Sequence, residues 1–258
     1  MKILVIGATG GTGRQIVQEA LAKGYEVNAL VRSVAKAAPL LAGADLIQGD
    51  ALDPVATADA LKGCDGVISS LGPRLSPWRE VTLLSASTRV LIDEMKKQSI
   101  KRLVCITGMG AGDSRGHGGF FYDRIFQPLL LGPIYRDKDR QETEIRVSGL
   151  DWTIVRPAVL TDGPAHDNAV RAMTDLKDFH GGKISRANVA RFVVDEFNAK
   201  RWIGKAPLIS ERSGPPLTYS DRRNFLDPDC LKYLRSKPGV CGILMIARMP
   251  ISADGNTW

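Results

Sequence analysis

The sequence predicts an α/β fold built on a doubly wound parallel sheet, in a single domain with an irregular C-terminal extension. Short runs of β-branched and apolar residues alternate, along the first two thirds of the chain, with segments whose apolar residues recur at helical spacing. A glycine-rich turn joins the first apolar run to the first helical segment. The 258 residues are 44% hydrophobic and 24% charged, which is typical of a chain that buries a substantial core. Alternating strands and helices require right-handed crossovers, so helices are expected on both faces of the sheet.

Six strands are predicted from short apolar runs bounded by turn residues or by helical sequence. In chain order they are Lys2–Ile6, Glu26–Val31, Asp45–Gln48, Gly66–Ser69, Arg102–Ile106 and Trp152–Arg156. Helices are predicted between them from buried stripes at helical spacing. The clearest stripes are Ile16, Val17, Ala20 and Leu21; Val81, Leu84, Thr88, Leu91, Ile92 and Met95; the segment Asp137–Ser148 before Gly149; and Val189, Phe192, Val193 and Phe197.

The predicted domain covers residues 1–210, and residues 211–258 form the C-terminal extension. The break is the run Ser213-Gly214-Pro215-Pro216, after which turn signals such as Asp227-Pro228 are dense and no periodicity is evident. The sequence leaves open whether this extension packs on the core, forms a mobile arm, or is an atypical end of a chain whose domain closes near Ser210.

Composition excludes several classes of protein. The longest uncharged apolar stretch beyond the first strand, residues 239–247, is far shorter than the roughly 20 residues that cross a bilayer, and no secretory signal is recognised. A cytoplasmic protein without membrane contact is therefore expected. The net charge of +7 is spread along the chain without a basic run, which argues against nucleic acid and suits an anionic ligand. The four cysteines lack metal-ligand spacing, so no metal site is predicted and all are expected to be reduced: Cys64, Cys105, Cys230 and Cys241. Cys64 and Cys105 are expected to lie in the core.

A glycine pattern, GxxGxxG, spans Gly7 to Gly13 between the first strand and the first helix. A helix that starts there presents free backbone N–H groups and the positive end of its dipole to a phosphate, and the glycines let the backbone approach the ligand. The sequence therefore predicts a dinucleotide-binding, Rossmann-type site.

The second strand ends in Val31-Arg32-Ser33, where a site for NAD would carry an acidic residue. A guanidinium suits the 2′-phosphate of NADP through charge-assisted hydrogen bonds, so NADP(H) is the predicted cofactor. The alternative is that Arg32 is a solvated surface residue. Arg14 is a further candidate for the same phosphate or for solvent exposure.

Several ordered motifs over residues 1–210 resemble the atypical short-chain dehydrogenase/reductases, and within them the NAD(P)H-binding, NmrA-like group that includes the flavin/biliverdin reductases. The motifs are GATGGTGR at residues 7–14, ALVRS at 29–33, Gln48-Gly49-Asp50, SGLDWTIVRP at 148–157 and LTDG at 160–163. The resemblance implies a Rossmann-type fold that binds NADP(H), with the substrate at the carboxyl ends of the strands.

The resemblance also implies positions for the cofactor. The pyrophosphate would lie at Gly7, Thr9, Gly10, Gly11, Thr12 and Gly13, the 2′-phosphate at Arg32, and the adenine at Asp50 and Ala51. The nicotinamide ribose would be bordered by Leu71, Gly72 and Thr107, and the nicotinamide ring would be covered by residues from Pro157 to Leu160.

The catalytic pattern departs from the family. Most short-chain dehydrogenases use a Tyr four residues before a Lys that lowers the pKa of the phenol. Lys138 stands at the Lys position, but Ile134 occupies the Tyr position and Tyr135 is one residue out of register. That shift rotates a helical side chain by about 100°, so Tyr135 is not expected to share a face with Lys138. Thr107 and Lys138 are the candidate catalytic residues, with an exposed helical lysine as the alternative for Lys138.

These features favour an NADPH-dependent reductase that passes hydride to a small planar acceptor such as a flavin, a biliverdin-like tetrapyrrole or a quinone. The competing hypothesis is a nonenzymatic NADP(H) sensor that binds a protein partner. An epimerase is disfavoured because its chemistry needs the aligned Tyr.

The run Gly116–Tyr122 is interpreted as an aromatic lid or as part of the core. The residues His117, His166 and His180 are interpreted as loop residues. The oligomeric state is left open.

Overall fold

Residues 1–72, 81–112, 132–165, 170–177, 179 and 182–211 are described by the computed structural model of this protein. The strands are β1 Lys2–Ile6, β2 Glu26–Val31, β3 Asp45–Gln48, β4 Gly66–Ser69, β5 Arg102–Ile106, β6 Asp151–Pro157, β7 Val159–Thr161, β8 Val170–Met173, β9 Lys183–Ser185 and β10 Leu208–Glu211. The helices are α1 Gly11–Ala22, α2 Val34–Ala37, α3 Pro54–Leu61, α4 Leu83–Lys97, α5 Gly132–Arg146 and α6 Arg186–Ala199, with a 3₁₀ turn at Ala38–Leu40.

The main sheet has eight strands in the order β3-β2-β1-β4-β5-β6-β10-β8. Every neighbouring pair is parallel except β10 and β8, which run antiparallel at one edge. The chain moves outward from β1 to β3 and then returns to place β4 on the other side of β1. This reversal opens a crevice at the carboxyl ends of β1 and β4, which is where open α/β sheets bind ligands.

The two faces of the sheet are covered by different helices, as a doubly wound fold requires. Because side chains alternate along a strand, Ile3 and Val5 of β1 point into one core while Leu4 and Ile6 point into the other. Helices α1 and α6 pack on the first face, and α3, α4 and α5 pack on the second. Both faces are mainly apolar, and the buried polar exceptions on the central strands include Arg102, Thr153 and Arg156.

The predicted fold class is confirmed, and the first five strands have the predicted bounds. The sixth, β6, extends one residue further at each end, and α5 begins five residues before the predicted helix. Four strands were not predicted, because β7 to β10 are too short to carry a periodic pattern. As a result, the sheet is mostly parallel rather than wholly parallel.

Several predictions fall outside the described residues. They concern the extension after Glu211, the aromatic run at 116–122, the three histidines, and Cys230 and Cys241. Cys64 and Cys105 are buried free thiols, as predicted, and burial raises their pKa to about 11 and about 12. No helix among the described residues combines the length and apolarity needed to span a membrane. In the same ranges, no cluster of His, Cys, Asp and Glu is placed to hold a metal ion.

Candidate functional site

The glycine loop after β1 lies in the crevice, and its geometry excludes side chains at two positions. Gly7 has a φ of +78°, and a Cβ there would lie 2.7 Å from the carbonyl oxygen of Ser70, which follows β4. A Cβ on Gly13 would lie 2.1 Å from the carbonyl oxygen of Gly7. Both distances are below van der Waals contact, so these glycines let α1 and the loop after β4 pack directly against the turn.

The amino terminus of α1 is open to an anion. Its N-cap residue is Gly10, which offers no side-chain cap, and the first turn contains no acidic residue. Thr9, Gly10 and Gly11 are exposed, and Thr12 is half-buried. The unpaired N–H groups of the first turn and the helix dipole therefore face solvent with net positive potential, which is the arrangement that binds phosphate.

The residues predicted to contact adenosine follow β2 and β3 at the same edge of the sheet. Arg32 comes directly after β2 and is exposed. Asp50 lies two residues after β3, and its Oδ1 accepts a hydrogen bond of 2.9 Å from the backbone N–H of Leu52. Ala51 is half-buried against the core formed by α3 to α5. Asp50 therefore holds a tight turn, and Arg32 remains accessible to a ligand.

A buried polar cluster lies beneath the ends of β5 and β6. The two nitrogens Nε and Nη2 of Arg156 bind the Glu142 carboxylate at 3.0 and 2.6 Å. The hydroxyl of Thr107 donates to the same carboxylate at 2.9 Å. All three side chains are almost fully buried. Because a buried charge without its partner is costly, this cluster fixes α5 against the two strands.

Lys138 lies next to this cluster, because it is one helical turn before Glu142 on α5. Its Nζ donates a hydrogen bond of 2.5 Å to the carbonyl oxygen of Thr107. Gly108 has a φ of +145°, and a Cβ on it would come within 3.0 Å of that Nζ. Burial lowers the pKa of Lys138 to about 8, and the nearby Glu142 carboxylate opposes that shift. The ammonium group can therefore change protonation state near neutral pH.

Tyr135 is engaged within the protein. Its hydroxyl donates a hydrogen bond of 2.7 Å to the carbonyl oxygen of Met109, and the Met109 N–H donates to the carbonyl oxygen of Pro157 at the end of β6. The prediction that Tyr135 and Lys138 lie on different faces is wrong, because the Lys138 Nζ lies 5.1 Å from the centre of the Tyr135 ring. Residues three apart on a helix are neighbours, and α5 is already helical at this point.

The structure brings the predicted site residues to one edge of the sheet. The glycine loop, Arg32, Asp50, Leu71 and Thr107 each follow a parallel strand, and Pro157 ends the sixth. Gly72 is exposed, and Leu160 lies in β7, which pairs with β9. The Thr107 hydroxyl is the exception, since it donates a hydrogen bond to the buried Glu142 carboxylate.

Sequence reasoning missed the partners of these residues. Arg156 could have been noticed, because a charge within the predicted buried strand Trp152–Arg156 requires a buried counter-charge, here Glu142. Arg186 gave no such signal. It is the first residue of α6, it pairs with Asp162 at 2.6 Å, and its side chain lies where a Cβ on Gly11 would come within 3.0 Å of its Nε.

Comparisons with known proteins agree with this geometry. Residues 7–200 match the model of an NAD(P)H-binding family. An uncharacterized chloroplastic protein of Arabidopsis thaliana is 29% identical over 240 residues, which are 85% of this chain and 80% of that protein. The photosystem II assembly factor Ycf39 of Cyanophora paradoxa is 35% identical over 158 residues, which are 60% of this chain and 44% of that protein.

Among solved structures, the anaerobilin reductase ChuY of Escherichia coli O157:H7 superimposes with a TM-score of 0.69 at 27% identity, covering 84% of this chain and 100% of that one. The family match spans three quarters of the chain and begins at the first glycine of the loop described above. This chain is a member of the NAD(P)H-binding family.

Proposed function

We propose that this protein is an NADPH-dependent reductase that transfers hydride to a small planar acceptor, such as a flavin, a biliverdin-like tetrapyrrole or a quinone. The observation on which the proposal rests is the open amino terminus of α1 in the crevice between β1 and β4, with Arg32 exposed at the end of β2. Membership of the NAD(P)H-binding family supports a nicotinamide cofactor in general. The preference for NADP and the acceptor class are the proposed refinements.

The residues present suit a dinucleotide. A side chain at Gly7 or Gly13 would collide with backbone atoms, so the turn is shaped for backbone approach rather than for side-chain contacts. Thr9, Gly10, Gly11 and Thr12 would hold the pyrophosphate through the first turn of α1. When bound, NADPH supplies the hydride.

Arg32 supports NADP over NAD on electrostatic grounds. An exposed guanidinium at this position can form two charge-assisted hydrogen bonds to a 2′-phosphate, and a carboxylate there would repel it. Asp50, which follows β3, already accepts a hydrogen bond from the backbone N–H of Leu52 through Oδ1. Its other carboxylate oxygen would face the adenine. Leu71 and Gly72 would border the nicotinamide ribose, with Pro157 and Leu160 along the ring.

Lys138 is the proposed catalytic residue. The carbonyl oxygen of Thr107 holds its Nζ at the carboxyl edge, so Thr107 acts as a positioning residue through its backbone. With a pKa of about 8, the ammonium can bind the nicotinamide ribose or supply the proton that the acceptor takes up after hydride transfer. The balance is one hydride from the cofactor and one proton from Lys138 or water.

The chemistry suits an acceptor that needs little acid catalysis. An electron-poor conjugated ring accepts hydride when the cofactor is oriented over it, without an aligned phenol. Tyr135 donates to Met109, which supports a mechanism that does not use its hydroxyl. The likeness to an anaerobilin reductase supports a tetrapyrrole as one candidate acceptor.

The second candidate function is a nonenzymatic NADP(H) sensor. Two observations favour it: the hydroxyls of Thr107 and Tyr135 are both engaged inside the protein, and a relative is named as an assembly factor. A sensor would bind NADP(H) tightly, would not turn over, and would change its affinity for a protein partner.

The test is NADPH oxidation followed by absorbance, with FMN, riboflavin, biliverdin and a simple quinone offered in parallel and NADH as the cofactor control. Turnover with NADPH on any acceptor supports the reductase and identifies the acceptor class. Binding of NADPH without turnover on any of them rejects the reductase in favour of the sensor. Absence of binding rejects both.

A further inference from the structure

The guanidinium of Arg186 lies at the amino terminus of α1, in addition to the positive end of the helix dipole. The side chain of Arg186, from the start of α6, crosses to Gly11, the first residue of α1. A Cβ on Gly11 would lie 3.0 Å from Nε and 3.1 Å from Cδ of Arg186. The absence of a side chain at Gly11 therefore leaves the space in which the Arg186 side chain lies.

This placement is electrostatically unfavourable unless an anion is present. The amino terminus of a helix carries a partial positive charge and attracts anions, so a cation there is repelled. The first turn of α1 contains no acidic residue that would offset the guanidinium. The partner of Arg186 is Asp162, after β7, at 2.6 Å, and the side chain of Asp162 is 91% exposed. A solvent-exposed ion pair offsets the repulsion only weakly.

The pair with Asp162 does fix the direction of the guanidinium. Asp162 binds Nη1, while the Nε side of the group lies next to Gly11. Arginine has five N–H donors in a planar fork, so a guanidinium held by one carboxylate still has donors for a second anion.

We propose that Arg186 binds the pyrophosphate of the dinucleotide from the side opposite the backbone of the glycine loop, with Asp162 as the residue that positions it. The inference rests on the proposed function in one respect, because it requires that a dinucleotide binds at this site. The group that Arg186 binds, the pyrophosphate, is present in both NADP and NAD. Arg186 therefore contributes affinity without selectivity, whereas Arg32 contributes selectivity.

The experiment compares the dissociation constants of three ligands for wild type and Arg186→Gln, measured by calorimetry on the full chain without an acceptor. The ligands are NADP⁺, NAD⁺, and 2′-AMP, which has the 2′-phosphate but no pyrophosphate. Loss of charge-assisted hydrogen bonds predicts a weakening of about 10- to 100-fold for both dinucleotides. The affinity for 2′-AMP should stay within about twofold.

Two control variants accompany the test. Arg201→Gln removes the same charge from an exposed residue beyond the carboxyl end of α6 and should leave all three affinities unchanged. Arg186→Lys keeps the charge but loses the planar fork, so it should recover part of the lost affinity. Thermal unfolding without ligand checks that each variant is folded.

Three results would overturn the inference while leaving the cofactor assignment intact: unchanged dinucleotide affinity in Arg186→Gln, equal loss for 2′-AMP, or weakening of NADP⁺ alone. Absence of dinucleotide binding by the wild type would instead reject the proposed function, and the inference with it.

Discussion

Arg32 is the single residue on which the proposed choice between NADP and NAD depends. It is exposed at the end of β2, where a 2′-phosphate would lie. We expect Arg32→Ala to weaken NADPH binding by about 10- to 100-fold, because a charge-assisted bidentate contact contributes about 1.5–3 kcal/mol. NADH binding should change less than threefold. Fluorescence titration with both cofactors measures the difference, and an equal loss for both would contradict the 2′-phosphate assignment.

Lys138 gives the proposed reaction a pH dependence with a definite sign. Burial lowers its pKa to about 8, so the ammonium form that holds the ribose or donates a proton is present below that pH and is lost above it. We expect kcat with NADPH to be constant below about pH 8 and to fall above it, because the neutral amine no longer binds the ribose as a cation and the proton must then come from water. In Lys138→Met the rate should be low and independent of pH in this range, while Lys96→Met, an exposed lysine of α4, keeps the wild-type profile. A Lys138→Met profile that still falls near pH 8 would assign the titration to another group.

Tyr135 provides the converse test, since its hydroxyl donates a hydrogen bond to the carbonyl oxygen of Met109. We expect Tyr135→Phe to retain activity within about threefold and to lose about 1 kcal/mol of unfolding free energy, the usual contribution of one hydrogen bond. Steady-state kinetics and urea unfolding measure the two effects. A loss of several orders of magnitude in kcat would show that the phenol takes part in the reaction despite its register.

At the scale of elements, α4 begins without a cap of its own and is capped from α5. Its N-cap residue, Thr82, makes no side-chain cap bond, whereas the fully buried Asp137 accepts from the N–H groups of Leu84 and Ser85 at 2.8 and 3.3 Å. The hydroxyl of Ser85 donates to the same carboxylate at 2.5 Å. A carboxylate at a helix amino terminus also interacts favourably with the dipole.

We therefore expect Asp137→Ala to lower the free energy of unfolding by about 2–3 kcal/mol, because it removes a cap and leaves buried donors unpaired. Urea unfolding measures the change. Asp93→Ala, at an exposed position on α4, is the matched control and should cost less than about 0.5 kcal/mol. An Asp137 effect as small as that of the control would mean that water can replace the carboxylate at the start of α4.

The elements that the sequence could predict are those whose pattern is local. The alternation in Lys2–Ile6 and the glycines that follow are sufficient to place β1, the turn and α1. Strands β7 to β10 have three or four residues each, and their pairing depends on neighbours far along the chain, such as Leu208 beside Arg156. The same holds for the site. The roles of Gly13 and Arg32 can be predicted from their positions after a strand, but Arg186 comes next to Gly11 only once α6 packs on α1.

At the scale of the whole molecule, the proposed cofactor site draws on both halves of the main sheet. The glycine loop, Arg32 and Asp50 follow β1, β2 and β3 on one side of the crevice, while on the other side Thr107 follows β5 and Pro157 ends β6. Gly7 touches the backbone after β4, so the two halves meet at the loop itself. A ligand that spans this edge binds only when both halves are folded, and its binding energy adds to the stability of the folded chain.

We expect NADP⁺ at 100 times its dissociation constant to raise the unfolding temperature by about 5–10 °C. This follows from a stabilisation of about 2.7 kcal/mol and a shift of roughly 2–4 °C per kcal/mol for a domain of this size. NAD⁺ at the same concentration should give a smaller shift, since it lacks the group that Arg32 would bind. Gly13→Ala serves as the control, because its added Cβ would lie 2.1 Å from the Gly7 carbonyl oxygen and displace the loop, which should abolish the shift. Differential scanning fluorimetry measures all three. A wild-type melting curve that no concentration of either dinucleotide moves would mean that the crevice between β1 and β4 does not hold a cofactor in this protein.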